Sequence, residues 1–192
     1  MSKEAMRDPR LCFDSPGPEA TRKAGELFSR VWRAGRGRPG EESRGAGEAG
    51  FVISLQGELG AGKTVFVKGL ARGLGIDEGA VSSPTFVLAN QYAAPLDGLS
   101  LHHVDFYRLE SAEELESMGF FDLMGAGTLL AVEWGARFSQ ELPADRLELI
   151  LASDSESAPE GRSLSARATG PISERLLAAW EIALAEAGPG AV

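Results

Sequence analysis

The eight residues GELGAGKT, Gly57 to Thr64, fit G-x-x-x-x-G-K-[ST], the loop that wraps a nucleotide's phosphates. Upstream runs FVISLQ, Phe51 to Gln56, an apolar β-rich run of strand length, and downstream VFVKGLARGLG, Val65 to Gly75, continues as a helix. Strand, loop and helix in that order are what the motif requires. The glycines let backbone N–H groups point inward at the phosphates, Lys63 supplies a mobile positive charge toward the outer ones, and the Thr64 hydroxyl would ligate Mg²⁺. A helix beginning near Gly62 also aims its positive dipole end at the anion. The competing reading, a glycine-rich turn with a surface lysine, is disfavoured by the flanking strand and helix.

At 192 residues the chain fits one domain, large enough to bury a substantial core without disulfides. Cys12 is the only cysteine, so an intramolecular disulfide is excluded and a reduced, cytoplasmic setting fits best. MSKEAMRDPRLCF lacks the apolar core of a signal peptide, and no run approaches the roughly 18 apolar residues of a membrane span. A soluble protein with no membrane partner is expected. The net charge of −9 disfavours tight autonomous binding to a nucleic acid, and a partner protein is easier to reconcile with it.

Residues Pro18 to Trp32 place Ala24, Leu27, Phe28 and Val31 at helical spacing. The stretch 35–50 is rich in glycine and charge, has no apolar periodicity and reads as a mobile surface loop, and residues 1–13 read as a loose terminal segment. VLANQY and LHHVDF are strand candidates, and Ser111 with Glu114 has capping-box spacing at the start of a short helix. TLLAVEW, Thr128 to Trp134, is a continuous apolar run ending in an acid, as expected of a buried central strand. RLELILA and SLSARAT look like an antiparallel pair, and SERLLAAWEIALAEAG closes the chain as a helix ending near Gly188. This order predicts a three-layer α/β fold of the P-loop type, a mixed sheet with a parallel centre and an antiparallel flank.

A phosphate loop with Mg²⁺ needs a carboxylate at the end of a neighbouring strand, and two acids qualify. Glu133 ends LLAV and emerges at the carboxyl edge of the sheet, where open α/β sheets bind ligands; Asp105 ends HHV and reaches the same edge from another strand. For each, the alternative is a solvated or helix-capping carboxylate. By spacing alone, His103 is a partly buried strand histidine rather than a catalytic one. Trp134 directly after the acid is core by type, with stacking or gating left open by its place. Thr85, in Ser83-Pro84-Thr85, either senses an outer phosphate or caps a turn.

Taken together, GELGAGKT, SPTF (83–86), HVDFYRL (103–109), EELESMG (113–119) and VEWG (132–135) closely resemble the TsaE family, also called YjeE, over roughly residues 18 to 187. The resemblance implies a small P-loop ATPase of threonylcarbamoyladenosine tRNA modification, slow without partners and acting with TsaD-like and TsaB-like proteins, tRNA being met only through that complex. It implies ATP and Mg²⁺ as cofactors. Thr64 and Glu133 would hold the metal, while Lys63 and the backbone of Gly57, Gly60, Ala61, Gly62, Thr64 and Val65 would hold phosphates. Asp105 would lie beside the outer phosphate and help to position water, making it, with Glu133 and Lys63, the catalytic set. Arg162 would reach the nucleotide from the late hairpin, and Thr85 and Trp134 would respond to nucleotide state or contact partners. The stretch 35–50 is longer than the family's usual turn.

Two other readings compete. A small-molecule kinase carries an arginine-rich lid, whereas Arg137, Arg146 and Arg162 are scattered here. A nucleotide-gated binding module would make hydrolysis incidental.

Overall fold

A computed structural model describes residues 11–36, 50–84, 88–153 and 160–188. Seven strands are formed by β1 (Leu11–Ser15), β2 (Phe51–Gln56), β3 (Ala89–Ala93), β4 (Ser100–Asp105), β5 (Thr128–Glu133), β6 (Leu147–Ser153) and β7 (Arg162–Ala168). Helices are α1 (Pro18–Ala34), α2 (Lys63–Gly73), α3 (Ala112–Ser117) and α4 (Pro171–Ala187). Pro18 and Pro171 open α1 and α4, where a missing N–H costs nothing because the first helical donors have no partner in the helix.

One sheet runs in the order β1-β7-β6-β2-β5-β4-β3. The centre, β6-β2-β5-β4, is parallel, and its inner strands β2 and β5 are buried on both faces because both faces are covered. Antiparallel pairing closes both edges rather than one: β3 on β4 at one side, β7 on β6 and β1 on β7 at the other. Leu11–Phe13, expected to belong to a loose terminal segment, belong instead to β1. Residues 1–10 lie outside the described residues, as does most of the 35–50 stretch (37–49). The strand is five residues long and lies at the sheet edge, so little in its sequence distinguishes it from coil.

The three expected layers are unequal. On one face Phe28 of α1, Phe66 and Leu70 of α2 and Trp180 of α4 pack over Ile53, Leu55, Leu129 and Leu149. Trp180 meets Phe28 edge to face at 5.3 Å, and its indole N–H donates to the Ala24 carbonyl at 3.0 Å. Among the described residues, the opposite face has only the six-residue α3, a 3₁₀ segment at Phe120–Met124 and the turns after β5. Its core is correspondingly smaller, with Val104, Phe106, Leu115, Phe120, Leu130 and Val132. The capping box expected at α3 is not formed: Ser111 makes no cap bond, and Glu114 instead accepts from the Glu110 N–H at 3.0 Å.

α1 and α2 lie backbone to backbone. A Cβ on Gly69 would stand 2.0 Å from the Arg22 carbonyl oxygen, and one on Gly25 would stand 2.2 Å from that of Phe66. Gly69→Ala must push the two helices apart, and a loss of about 1–3 kcal/mol in denaturant-induced unfolding is expected. An unchanged unfolding midpoint would show that the helices are not in backbone contact.

His102 points to the smaller core and its Nδ1–H donates to the Leu123 carbonyl at 2.9 Å. Burial lowers its pKa from the ordinary 6.5, and the hydrogen bond only partly opposes this. The unfolded chain thus takes up its proton at a higher pH than the folded one, and stability falls as pH drops through 6.5. Urea unfolding at about pH 7.5 and about pH 5.5 should show a smaller loss in His102→Gln, whose amide can still donate but does not titrate. Parallel losses in the two proteins would contradict this.

Candidate functional site

The phosphate loop leaves the carboxyl end of β2, and the two candidate acids end the next two strands on one side. Register places Leu55 beside Glu133, and Glu133 beside Asp105. Alternation along β4 puts Leu101, His103 and Asp105 on the α2 face, while Glu133 follows Leu129 and Ala131 onto that face of β5. Loop, helix start and both acids therefore meet at one edge of the sheet.

Within the loop, Gly57, Gly60 and Gly62 have φ of +143°, +80° and +101°, values that favour glycine. A Cβ at Gly57 would also fall 2.3 Å from the Leu151 carbonyl oxygen. Gly62 is the N-cap of α2 and offers no side chain, and no residue of the first turn is acidic. The N–H groups and positive dipole end of α2 are thus left for an anion. Ala61 is buried, and Val65 lies in the first turn of α2.

Lys63 is buried, with Nζ donating to the carbonyls of Gly57 at 3.0 Å and Glu58 at 3.1 Å. The same ammonium stands 3.6 Å from Glu133 Oε2 and 5.0 Å from the centroid of the Trp134 ring. Thr64 Oγ1 donates to Glu133 Oε1 at 3.1 Å, across 69 residues of sequence. Burial favours the protonated form of Glu133, but the hydrogen bond from His103, the charge of Lys63 and the Thr64 hydroxyl oppose it, and its pKa lies below the ordinary value. Asp105 is buried and its Oδ1 accepts from the Tyr107 N–H at 2.9 Å. A hydroxyl and two carboxylates beside a phosphate loop are the oxygen donors that Mg²⁺ takes, so the residues present fit a magnesium-bound nucleotide.

Three further features frame this edge. Trp134 follows Glu133 in the left-handed region, φ +61°, and its N–H donates to the Leu55 carbonyl at 2.9 Å. That conformation costs a non-glycine residue on the order of 1 kcal/mol and persists only where the surroundings hold it. Its indole packs on Tyr107 with ring centroids 5.3 Å apart. Arg137 donates to the carbonyls of Phe106 and Tyr107, pinning the turn after Asp105. Arg162, at the start of β7, donates to the carbonyls of Ala61 at 3.1 Å and Gly60 at 3.3 Å, so it contacts the loop directly. Thr85 lies outside the described residues.

Of the residues singled out by sequence, Lys63, Thr64, Asp105, Glu133 and Trp134 converge. His103 is the residue the sequence reading undervalued: it is wholly buried, and Nε2 lies 2.9 Å from Glu133 Oε1. Period-two alternation with Asp105 was the signal that could have placed it. Arg137 carried no motif signal, since its partners are backbone carbonyls.

A family sequence model described as threonylcarbamoyl adenosine biosynthesis protein TsaE matches residues 16–163. The tRNA threonylcarbamoyladenosine biosynthesis protein TsaE of Streptomyces coelicolor is 46% identical over 102 residues, 53% of this chain and 68% of that protein. The protein of the same name from Treponema pallidum is 47% identical over 96 residues, covering 50% of this chain and 68% of its own. Among solved structures, Bacillus subtilis YdiB superposes with a TM-score of 0.62 at 27% identity, covering 90% of this chain and 94% of that one.

Proposed function

The chain belongs to the TsaE family, and from that premise we propose that it is a Mg²⁺-dependent ATPase supporting threonylcarbamoyladenosine modification of tRNA. The observation that carries this reading is the contact of Thr64 and Lys63, from the phosphate loop, with Glu133 at the end of β5. Thr64 and Glu133 would hold Mg²⁺, which when bound neutralises charge on the phosphate oxygens. Lys63, whose present acceptors are carbonyls of its own loop, has a donor set that suits the outer phosphates. Backbone N–H groups of Gly60, Gly62, Lys63, Thr64 and Val65 would face the same anion at the start of α2, while that of Ala61 donates to the Glu58 carbonyl at 3.1 Å. Asp105 and Glu133 are the two acceptors at this edge able to orient an attacking water, and Arg137 keeps the turn after Asp105 in place.

The kinase alternative needs arginines free to close over phosphates. Arg137 and Arg162 donate to backbone carbonyls, and Arg146 donates to the Pro143 carbonyl and to Glu148. Those contacts hold the scaffold, which favours hydrolysis supporting another subunit's chemistry, with Arg162 beside the loop as the proposed contact to the nucleotide. TsaD-like and TsaB-like proteins are the proposed partners. Leu59 at the loop tip is 95% exposed and Tyr107 is 56% exposed, apolar surface at the nucleotide edge on which a partner can read its state. Direct tRNA binding is disfavoured by the net charge of −9. Among the described residues no helix is long and apolar enough to cross a membrane, in keeping with a proposed cytoplasmic setting.

The test is ATP hydrolysis by the purified protein, alone and with TsaD-like and TsaB-like partners. Slow turnover alone, stimulation in the complex and a loss of about 100-fold or more in Glu133→Gln are expected. No stimulation with no co-elution, or phosphate transfer to a metabolite faster than hydrolysis, would contradict the proposal.

A further inference from the structure

His103 is fully buried on β4 without being one of the site's phosphate or metal ligands. Its cross-strand neighbour is Ala131, whose methyl leaves the imidazole room to lean along β5 toward the diagonal residue, Glu133. Nε2 lies 2.9 Å from Glu133 Oε1, the oxygen that also accepts from Thr64 Oγ1 at 3.1 Å. Nδ1 is buried with no hydrogen-bond partner among the described residues. A proton on Nδ1 would be a buried donor with no acceptor, whereas on Nε2 it meets a carboxylate. The ring therefore carries its proton on Nε2. His102, next in the chain and on the opposite face, faces a carbonyl through Nδ1 and must carry its proton there. The two histidines of this protein are held as opposite tautomers.

We propose that His103 is a positioning residue for Glu133: by occupying Oε1 jointly with Thr64, it fixes the carboxylate rotamer and leaves Oε2, the oxygen beside Lys63, as the one presented to the phosphate site. Oε2 lies 3.6 Å from Lys63 Nζ, so the same constraint sets the distance between the loop's cation and the working carboxylate oxygen. Without the imidazole donor, the carboxylate keeps one hydroxyl contact on Oε1 and gains rotational freedom about its terminal bond. This role rests on the ATPase reading; the tautomer assignment beneath it does not.

Two measurements test the proposal. In protein with ¹⁵N-labelled histidine and no nucleotide, long-range ¹H–¹⁵N spectra should resolve one Nδ1-protonated and one Nε2-protonated ring. Glu133→Gln, which replaces a charged acceptor with a neutral one, should move the Nε2–H proton upfield and leave the other ring unchanged. Two rings of the same tautomer, or an Nε2–H insensitive to Glu133→Gln, would overturn the proposal. In the partner-stimulated ATPase assay, His103→Leu should lower kcat about tenfold with KM for ATP within about twofold, and His103→Gln, whose amide can donate to Oε1, should recover most of it. Wild-type kinetics in His103→Leu, or equal losses in both variants, would overturn it. A wild-type protein that gives the expected spectra but no hydrolysis with its partners would instead remove the ATPase reading on which the role rests. Should His103→Leu fail to fold, His103→Gln and the spectra still decide.

Discussion

The hydrogen bond from Thr64 to Glu133 ties the first turn of α2 to the end of β5, and the geometry of the site depends on it. It can form only because β2 and β5 are parallel neighbours in a register that sets Leu55 beside Glu133. The glycine-rich turn between β2 and α2 then returns the chain over the strand ends. Parallel pairing of β4 on β5 adds Asp105 at the next position. Three chain segments distant in sequence thus end at one edge, and loop atoms and acids share it.

This edge is built against stability. Lys63 and Glu133 are both buried, and desolvating two charges costs several kcal/mol that their mutual attraction need not return. Trp134 holds a left-handed backbone beside them. Such costs are carried by the surroundings: the apolar core under α1, α2 and α4, the close approach of α1 to α2 through Gly25 and Gly69, and arginines whose guanidinium groups clamp loop carbonyls. A buried cation among carbonyls, next to an acid and an indole, is the arrangement expected where charge must meet a ligand rather than solvent.

Much of the fold was legible because its signals are local. Phe51 to Gln56 reads as a strand from its β-rich apolar run, and Thr128 to Glu133 reads as central because it is apolar on both faces. GELGAGKT announces the turn between strand and helix through its glycines. The antiparallel β6–β7 pair followed from alternation. What escaped depends on tertiary placement. β1 is a short edge strand defined by β7, not by its own composition. The thin second layer follows from α3 being only six residues long, which no periodicity measures. His103 looked like an ordinary strand histidine because its importance lies in a diagonal contact with a residue thirty positions away. Arg137 and Arg162 act on backbone carbonyls, which any sequence supplies.

The central claim, that this sheet edge binds a magnesium-bound nucleotide through the loop and the β5 acid, is tested most directly by calorimetric titration of ATP with Mg²⁺ in excess and with Mg²⁺ chelated. The account predicts at least about tenfold tighter binding with Mg²⁺ in the native protein, and loss of that difference in Thr64→Val, which keeps the loop but lacks the hydroxyl. Equal affinity with and without Mg²⁺ in the native protein would contradict it.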